Sequence, residues 1–212
     1  MNIFRTFIIV NNFSKFSLKM ELSKEILVSN FSKYKKRLIT YVGEQEAESI
    51  IEELGGDDAV MNATYANTDS TGLAYDGSFT ETVIALTVYA IKINDLLPEE
   101  KQVSKESIAK VALLSQIGKV LLFKPQTNDW RRKNLGENYS YAELDGAIRV
   151  GERSILIAMN SGVKFTEFEF EAMRIMDKQN ENADNYSKYF SGTLSMIIKQ
   201  ANEMIDIINR KH

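Results

Sequence analysis

The side chains that most often perform chemistry in proteins are nearly missing from this sequence. Its only histidine is His212, at the C-terminal end, and it contains no cysteine. Histidine is the commonest general base near neutral pH and a frequent metal ligand. The absence of cysteine excludes thiolate metal sites, thiol nucleophiles and disulfide frameworks. We expect no catalytic role for the terminal histidine.

Two basic residues are candidates for binding an anion. Lys119 follows the stretch KVALLSQIG, and Arg153 lies in the stretch RVGERS. A lysine can hold a phosphate as a point charge and an arginine can hold it as a planar fork. A lysine at the C-terminal end of a helix is also favoured by the helix dipole and needs no ligand to explain it. Both interpretations stay open.

The segment DWRRK places the only tryptophan, Trp130, beside Arg131 and Arg132. Tryptophan and arginine are enriched among the residues that dominate protein contacts. An aromatic beside arginine can also bind single-stranded nucleic acid, and a charged loop tip can simply be solvated. The 26 basic and 29 acidic residues are well mixed and give a net charge of −3, unlike a dedicated nucleic-acid binder. A protein partner or a homo-oligomer is therefore the expectation.

Most of the chain has the apolar periodicity of amphipathic helices. Gly55 and Gly56 are expected to end one helix, Ser104 to cap another, and Thr166 with Glu169 to form a capping box. The predicted helices are MELSKEILVSNFSKYKKRLITYV, EQEAESIIEELGG, DDAVMNATYAN, FTETVIALTVYAIKINDLL, SKESIAKVALLSQIG, GERSILIAMNSG, TEFEFEAMRIMDKQ and residues 193–210. Between them, VLLFKPQTNDWRRKNLGENYSYAEL predicts a small β-hairpin with DWRRK at its tip. The fold class is mainly α.

Residues 20–212 are expected to form one domain, because two prolines and no low-complexity stretch leave no linker. Residues 1–19 contain Arg5, Lys15 and Lys19 and no acid. Their apolar run FIIV is far shorter than the ~20 residues of a membrane span and the roughly 7–15 of a signal peptide. These residues are a basic arm held on a partner, a leader without fixed structure, or an upstream extension before a start at Met20.

The order of these elements resembles the His-Asp (HD) domain phosphohydrolase superfamily, especially its small bacterial and phage members. The resemblance covers roughly residues 73–205 and rests on YDGSFTETVIAL, SQIGK, the aromatic insert DWRRKNLGENYSY, RVGERS, FTEFEFEAMRIMD and the pair Ala201–Asn202. It implies an HD-domain-like helical bundle with a small inserted β-hairpin. In that family, histidines and aspartates at these places hold one or two divalent ions that activate water against a phosphate ester.

This chain departs from the family pattern at every ligand position that can be aligned. The positions hold Thr82, Ser115, Gln116, Val150, Met176 and Asn202. Neutral oxygens, a thioether and a methyl-bearing side chain do not offset the dehydration of a divalent ion. We therefore expect no metal, no cofactor and no hydrolysis by the family's route. Gln116 and Asn202 are expected to bond to each other, to Thr82 or to water, because a buried amide without a partner costs about 1–3 kcal/mol.

The prediction is a catalytically inactive HD-like protein that acts as a structural, assembly or interaction component, in a phage virion if the gene is a phage gene. Trp130, Arg131 and Arg132 are the candidate partner contact. The alternative is a metal-free regulatory module that binds a nucleotide or phosphate through Lys119 and Arg153. An enzyme would need chemistry that the residues do not supply. No nucleic-acid or membrane partner is expected, and the expected location is the cytoplasm or, for a phage protein, the virion.

Overall fold

A computed structural model describes residues 22–144, 146–175 and 192–210. This part of the chain contains nine α-helices and one two-stranded sheet, which confirms the mainly α prediction. The helices are α1 (Lys24–Val42), α2 (Glu44–Glu53), α3 (Asp57–Asn62), α4 (Ser78–Asp95), α5 (Lys105–Leu114), α6 (Asp129–Leu135), α7 (Val150–Asn160), α8 (Glu167–Ile175) and α9 (Thr193–Asn209). The strands are β1 (Phe123–Pro125) and β2 (Tyr139–Tyr141). The predicted arm at residues 1–19, Met176 and His212 lie outside the described residues.

The first three helices follow one another with very short turns. Helix α1 begins at Lys24 rather than at Met20, because the Ser23 hydroxyl accepts a hydrogen bond from the Ile26 amide at 3.4 Å and caps the helix there. Gly55 and Gly56 end α2 as predicted, with φ angles of +94° and +91° that favour glycine. The predicted third helix is shorter than expected and ends at Asn62.

Helix α4 lies at the centre of the fold. It packs against α1, α3, α5 and α9, so its apolar residues meet neighbours on several sides. Phe79 of α4 packs edge-to-face on Tyr34 of α1, with 5.7 Å between ring centroids, and both rings are fully buried. The helix ends before Pro98, where Asn94 exchanges two hydrogen bonds with the Val103 backbone. Burial of this central helix fixes the positions of the elements around it.

The remaining caps also follow from the sequence. Ser104 caps α5 by accepting a hydrogen bond from the Ser107 amide at 3.1 Å. Thr166 and Glu169 form the predicted capping box at the start of α8, each side chain accepting from the other residue's amide. Helix α5 is followed by Ser115, Gln116 and a single 3₁₀ turn, residues 117–119. Among the described residues, no helix is long and apolar enough to cross a membrane.

The predicted hairpin is correct in its strands and wrong at its tip. Strands β1 and β2 pair antiparallel, with Phe123 opposite Tyr141, but DWRRK belongs to the helix α6 that connects them. The Asn128 side chain caps α6 by accepting from two backbone amides, and Gly136 ends it in the left-handed conformation. The segment NDWRRKNLG therefore carries its own start and stop signals for a short helix. We call residues 123–141 the appendage.

Candidate functional site

The turn after α5 and the start of α7 meet in a tight contact. The Ser154 hydroxyl accepts a hydrogen bond from the Gly118 amide at 2.9 Å and lies 3.1 Å from the carbonyl oxygen of Ser115 and 2.8 Å from that of Val150. A Cβ on Gly118 would approach the Val150 carbonyl oxygen to 2.6 Å, so only glycine fits without a shift. The predicted positions Ser115 and Val150 are thus brought together, and Ser154 joins them.

A second contact brings together Lys119 and Asn202. The Lys119 Nζ lies 3.4 Å from the centroid of the Tyr65 ring. The hydroxyl of the same ring donates to Asn202 Oδ1 at 2.9 Å. Burial and the nearby carboxylate of Asp206 raise the pKa of Tyr65, so the hydroxyl keeps its proton and remains a donor at neutral pH. Lys119 is therefore held by a neutral aromatic ring inside the fold.

Asn202 has a partner that the sequence does not predict. The expected bond to Gln116 or Thr82 is not formed, and Asn202 Oδ1 accepts from the Tyr65 hydroxyl at 2.9 Å. Among the described residues, no hydrogen bond joins the Gln116 side chain to Thr82 or Asn202, although Gln116 and Thr82 are both buried. The reason is geometric, because the loop after α3 brings Tyr65 between α9 and the turn after α5. No sequence signal marks Tyr65, since its two partners are distant along the chain.

The described residues at the aligned ligand positions, Thr82, Ser115, Gln116, Val150 and Asn202, carry no charge. The Ser115 hydroxyl is fully buried and has no hydrogen-bond partner within the described part of the chain. Arg153 donates from Nη2 to the carbonyl oxygen of Gly146 at 2.7 Å. In residues 22–144, 146–175 and 192–210, no three His, Cys, Asp or Glu side chains lie close enough together to hold a metal ion. Met176, the remaining aligned ligand position, lies outside the described residues.

The appendage fixes the three predicted contact residues on one short helix. The Arg131 guanidinium binds the Glu137 carboxylate through Nε at 2.7 Å and Nη2 at 3.2 Å. This pair raises the pKa of Arg131 and lowers that of Glu137, so both remain charged over a wide pH range. Arg132 pairs with Asp129 within α6. Trp130 directly precedes the two arginines in the sequence and is 62% exposed.

The appendage is held against the loop that precedes α4. The Asn138 side chain donates to Asp69 Oδ1 at 2.6 Å and to the Ala74 carbonyl oxygen at 3.2 Å. The Tyr139 hydroxyl donates to Asp76 Oδ1 at 2.6 Å. Two more backbone bonds, from Asp69 to Gly136 and from Tyr139 to Asn67, continue the same contact. Trp130 is therefore exposed on an anchored element, so binding it would not require the element to fold first.

No protein-family model, no curated protein and no solved structure matches the chain. The resemblance to the HD superfamily accordingly stays a prediction that rests on the sequence segments given above. Function has to be inferred from the two sets of residues that the structure brings together: the interior contacts around Ser154 and Tyr65, and the exposed appendage.

Proposed function

We propose that this protein is a non-catalytic, HD-like component of a protein assembly and that it binds its protein partner through the appendage. The single observation that carries the proposal is the exposure of Trp130 on an anchored helix that also carries Arg131 and Arg132, whose side chains pair with Glu137 and Asp129. Large aromatic and arginine side chains that are held in place before binding lose little conformational entropy, and they are frequent hot spots of protein interfaces.

The interior contacts support the non-catalytic part of the proposal. Lys119 packs on the buried Tyr65 ring, and Arg153 is bonded to a backbone carbonyl oxygen. The hydroxyls and amides around them are not general bases near neutral pH, and the effect of the nearby Asp206 carboxylate on Tyr65 is to raise the pKa of its hydroxyl. These contacts stabilise the junction of the turn after α5 with α7 and α9. In this proposal the resemblance to a hydrolase concerns the scaffold, and the binding surface lies elsewhere.

Native mass spectrometry of the full chain, purified gently from its natural source, tests this proposal. We expect a discrete multimer or a complex with another protein, and we expect Trp130→Ala to reduce it to the mass of one chain. Phe168→Ala is the matched control, because Phe168 is an aromatic residue of similar exposure, 67%, on α8. A single chain in the unsubstituted sample, or a complex that survives Trp130→Ala, would contradict the proposal.

The second candidate function is phosphate or nucleotide binding by Lys119 and Arg153. One observation favours it: the hydrogen bond from Gly118 to Ser154 places the two basic residues next to the same contact, on opposite elements. If this function is correct, ATP or inorganic phosphate raises the melting temperature of the chain. The shift should then disappear in Lys119→Met and in Arg153→Gln. A metal-free thermal shift series therefore separates this candidate from the assembly role.

A further inference from the structure

The appendage carries three exposed apolar side chains. Trp130 and Tyr141 are each 62% exposed, and Leu135 is 48% exposed. They lie within residues 123–141, the segment that also contains the charged residues of α6. Exposed apolar side chains that are close together and rimmed by polar groups mark interaction sites more often than scattered ones do. The charge of the surrounding residues then indicates what kind of surface the appendage fits.

The appendage is positively charged on a protein that is negative as a whole. Residues 123–141 have an excess of two positive charges, and the net charge of the chain is −3. The exposed Lys124 and Lys133 belong to this excess. A complementary surface is acidic and offers room for an indole ring. Such a surface is present on the same chain.

That surface lies where α2 meets α3. Residues 44–58 contain seven carboxylates and no lysine or arginine. A shallow, open cleft of about 550 Å³ lies there and is lined by Glu48, Glu52 and Asp57. Lys35 also lines it and pairs with Asp57 at 3.1 Å, which leaves Glu48 and Glu52 as its acidic side chains. Ile51 and the two glycines at 55–56 also line the cleft. A Cβ added to Gly56 would meet no atom within 4 Å, so the backbone here is open to an approaching side chain.

The cleft of one chain does not hold the tryptophan of the same chain. Leu121, two residues before β1, lies 4.0 Å from the place that a Cβ on Gly55 would occupy, so the base of the appendage is next to the cleft. Trp130 nevertheless remains 62% exposed. The basic aromatic surface and the acidic cleft of one chain do not cover each other. A second copy of the chain can bind to both.

Building on the proposed function, we propose that the partner of the appendage is a second copy of this chain. Trp130 of one copy enters the cleft between α2 and α3 of the next, and Lys133 faces the carboxylates of Glu48 and Glu52. The contact joins two different surfaces, so it is heterologous and generates rings or open chains of copies. The contact is small, so we expect association to be weak and to fall as salt screens the charges.

Sedimentation velocity of the full chain over a roughly hundredfold concentration range tests the proposal. Two variants each remove one surface: Trp130→Ala with Lys133→Gln removes the appendage surface, and Glu48→Gln with Glu52→Gln removes the acidic rim. We expect each variant to raise the apparent dissociation constant at least about tenfold. Glu99→Gln with Glu100→Gln is the charge-matched control, on exposed acids away from the cleft, and should associate like the unsubstituted chain.

Mixing the two variants gives the sharpest result. The rim variant keeps its appendage and the appendage variant keeps its cleft, so an equimolar mixture should form one-to-one dimers and nothing larger. A chain that is monomeric throughout, or variants that associate as well as the unsubstituted chain, would overturn the proposal. Binding of a single-stranded oligonucleotide by a monomeric chain, lost in Trp130→Ala, would overturn it too. If native mass spectrometry shows a different protein bound through Trp130, the self-association fails while the proposed function stands.

Discussion

The ammonium group of Lys119 lies 3.4 Å from the centroid of the Tyr65 ring, closer than any other lysine–aromatic contact among the described residues. A cation over a buried aromatic face gains about 2 kcal/mol when water is excluded. Because the Tyr65 hydroxyl is also bonded to Asn202, this contact links the turn after α5 to α9. A lysine that the sequence alone marks as a candidate phosphate ligand therefore has a structural role.

Lys119→Met should lower the free energy of unfolding by about 1–2 kcal/mol, because methionine keeps the aliphatic contact and removes the charge above the ring. Urea denaturation measures the change. Lys92→Met is the matched control, since Lys92 is exposed and lies 6.0 Å from the Tyr89 ring centroid. Its effect should stay within about 0.5 kcal/mol. Equal effects of the two substitutions would show that the Lys119–Tyr65 contact stabilises the fold no more than the Lys92–Tyr89 contact does.

Ser154→Ala should destabilise the fold by about 1–3 kcal/mol, because it leaves the buried Gly118 amide without its acceptor. Ser115→Ala is the matched control: this serine is also fully buried, and its hydroxyl has no partner in the described part of the chain. That substitution should leave stability unchanged or slightly higher. The prediction fails if the two substitutions lower stability by the same amount in thermal and urea unfolding.

Glu169→Gln should destabilise the protein at neutral pH by about 2 kcal/mol, because Glu169 accepts from Lys110 Nζ at 2.9 Å. Burial raises the pKa of Glu169, but the hydrogen bonds from Thr166, Lys110 and Ser107 outweigh it and hold the pKa below its ordinary value. The stabilisation is therefore present above the ordinary pKa and is lost as pH falls through the lowered one. As pH falls through the acidic range, the melting temperatures of Glu169→Gln and of the unsubstituted chain should converge. Glu167→Gln, an exposed neighbour on α8, should show no such convergence.

The contribution of Glu81 to stability should depend on pH in the opposite way to that of Glu169. Burial raises the pKa of this carboxyl, and the hydrogen bond from the Tyr75 hydroxyl at 3.1 Å opposes the rise only in part. The folded state thus favours the protonated form, so Glu81 weakens the fold as pH rises through the raised pKa. Glu81→Gln, which keeps an acceptor for Tyr75, should raise the melting temperature at neutral pH and have little effect in acid. Glu106→Gln, an exposed acid in the first turn of α5, should not raise it.

Much of the fold could be predicted from local signals, because they act over a few residues. Ser104, the pair Thr166 and Glu169, and the glycines at 55–56 all have their predicted roles. The helix α6 was missed, although Asn128 and Gly136 are a start and a stop signal, because the aromatic and branched residues around them favour strands. Residues 123–141 form a strand, a helix and a strand, so their sequence contains strand-favouring residues together with helix start and stop signals.

The interior contacts could be predicted only in part. The sequence marks Ser115 and Val150 only as replaced ligand positions, and it does not predict that the Ser154 hydroxyl contacts the carbonyl oxygens of both. The role of Tyr65 could not be predicted, since its hydroxyl bonds to a residue 137 positions away in the chain. Tertiary packing alone brings such groups together, and no periodicity or local motif encodes it.

The most direct test of the account is a photo-crosslink from the appendage itself. Benzoyl-phenylalanine replaces Trp130 in the full chain in its natural source, and the same group at Phe168 serves as the control of similar exposure. The account predicts a specific protein adduct from position 130, with the mass of two chains if the partner is a second copy, and no such adduct from position 168. Position 130 without any protein adduct, or the same adducts from both positions, would contradict the claim that the appendage is the binding surface.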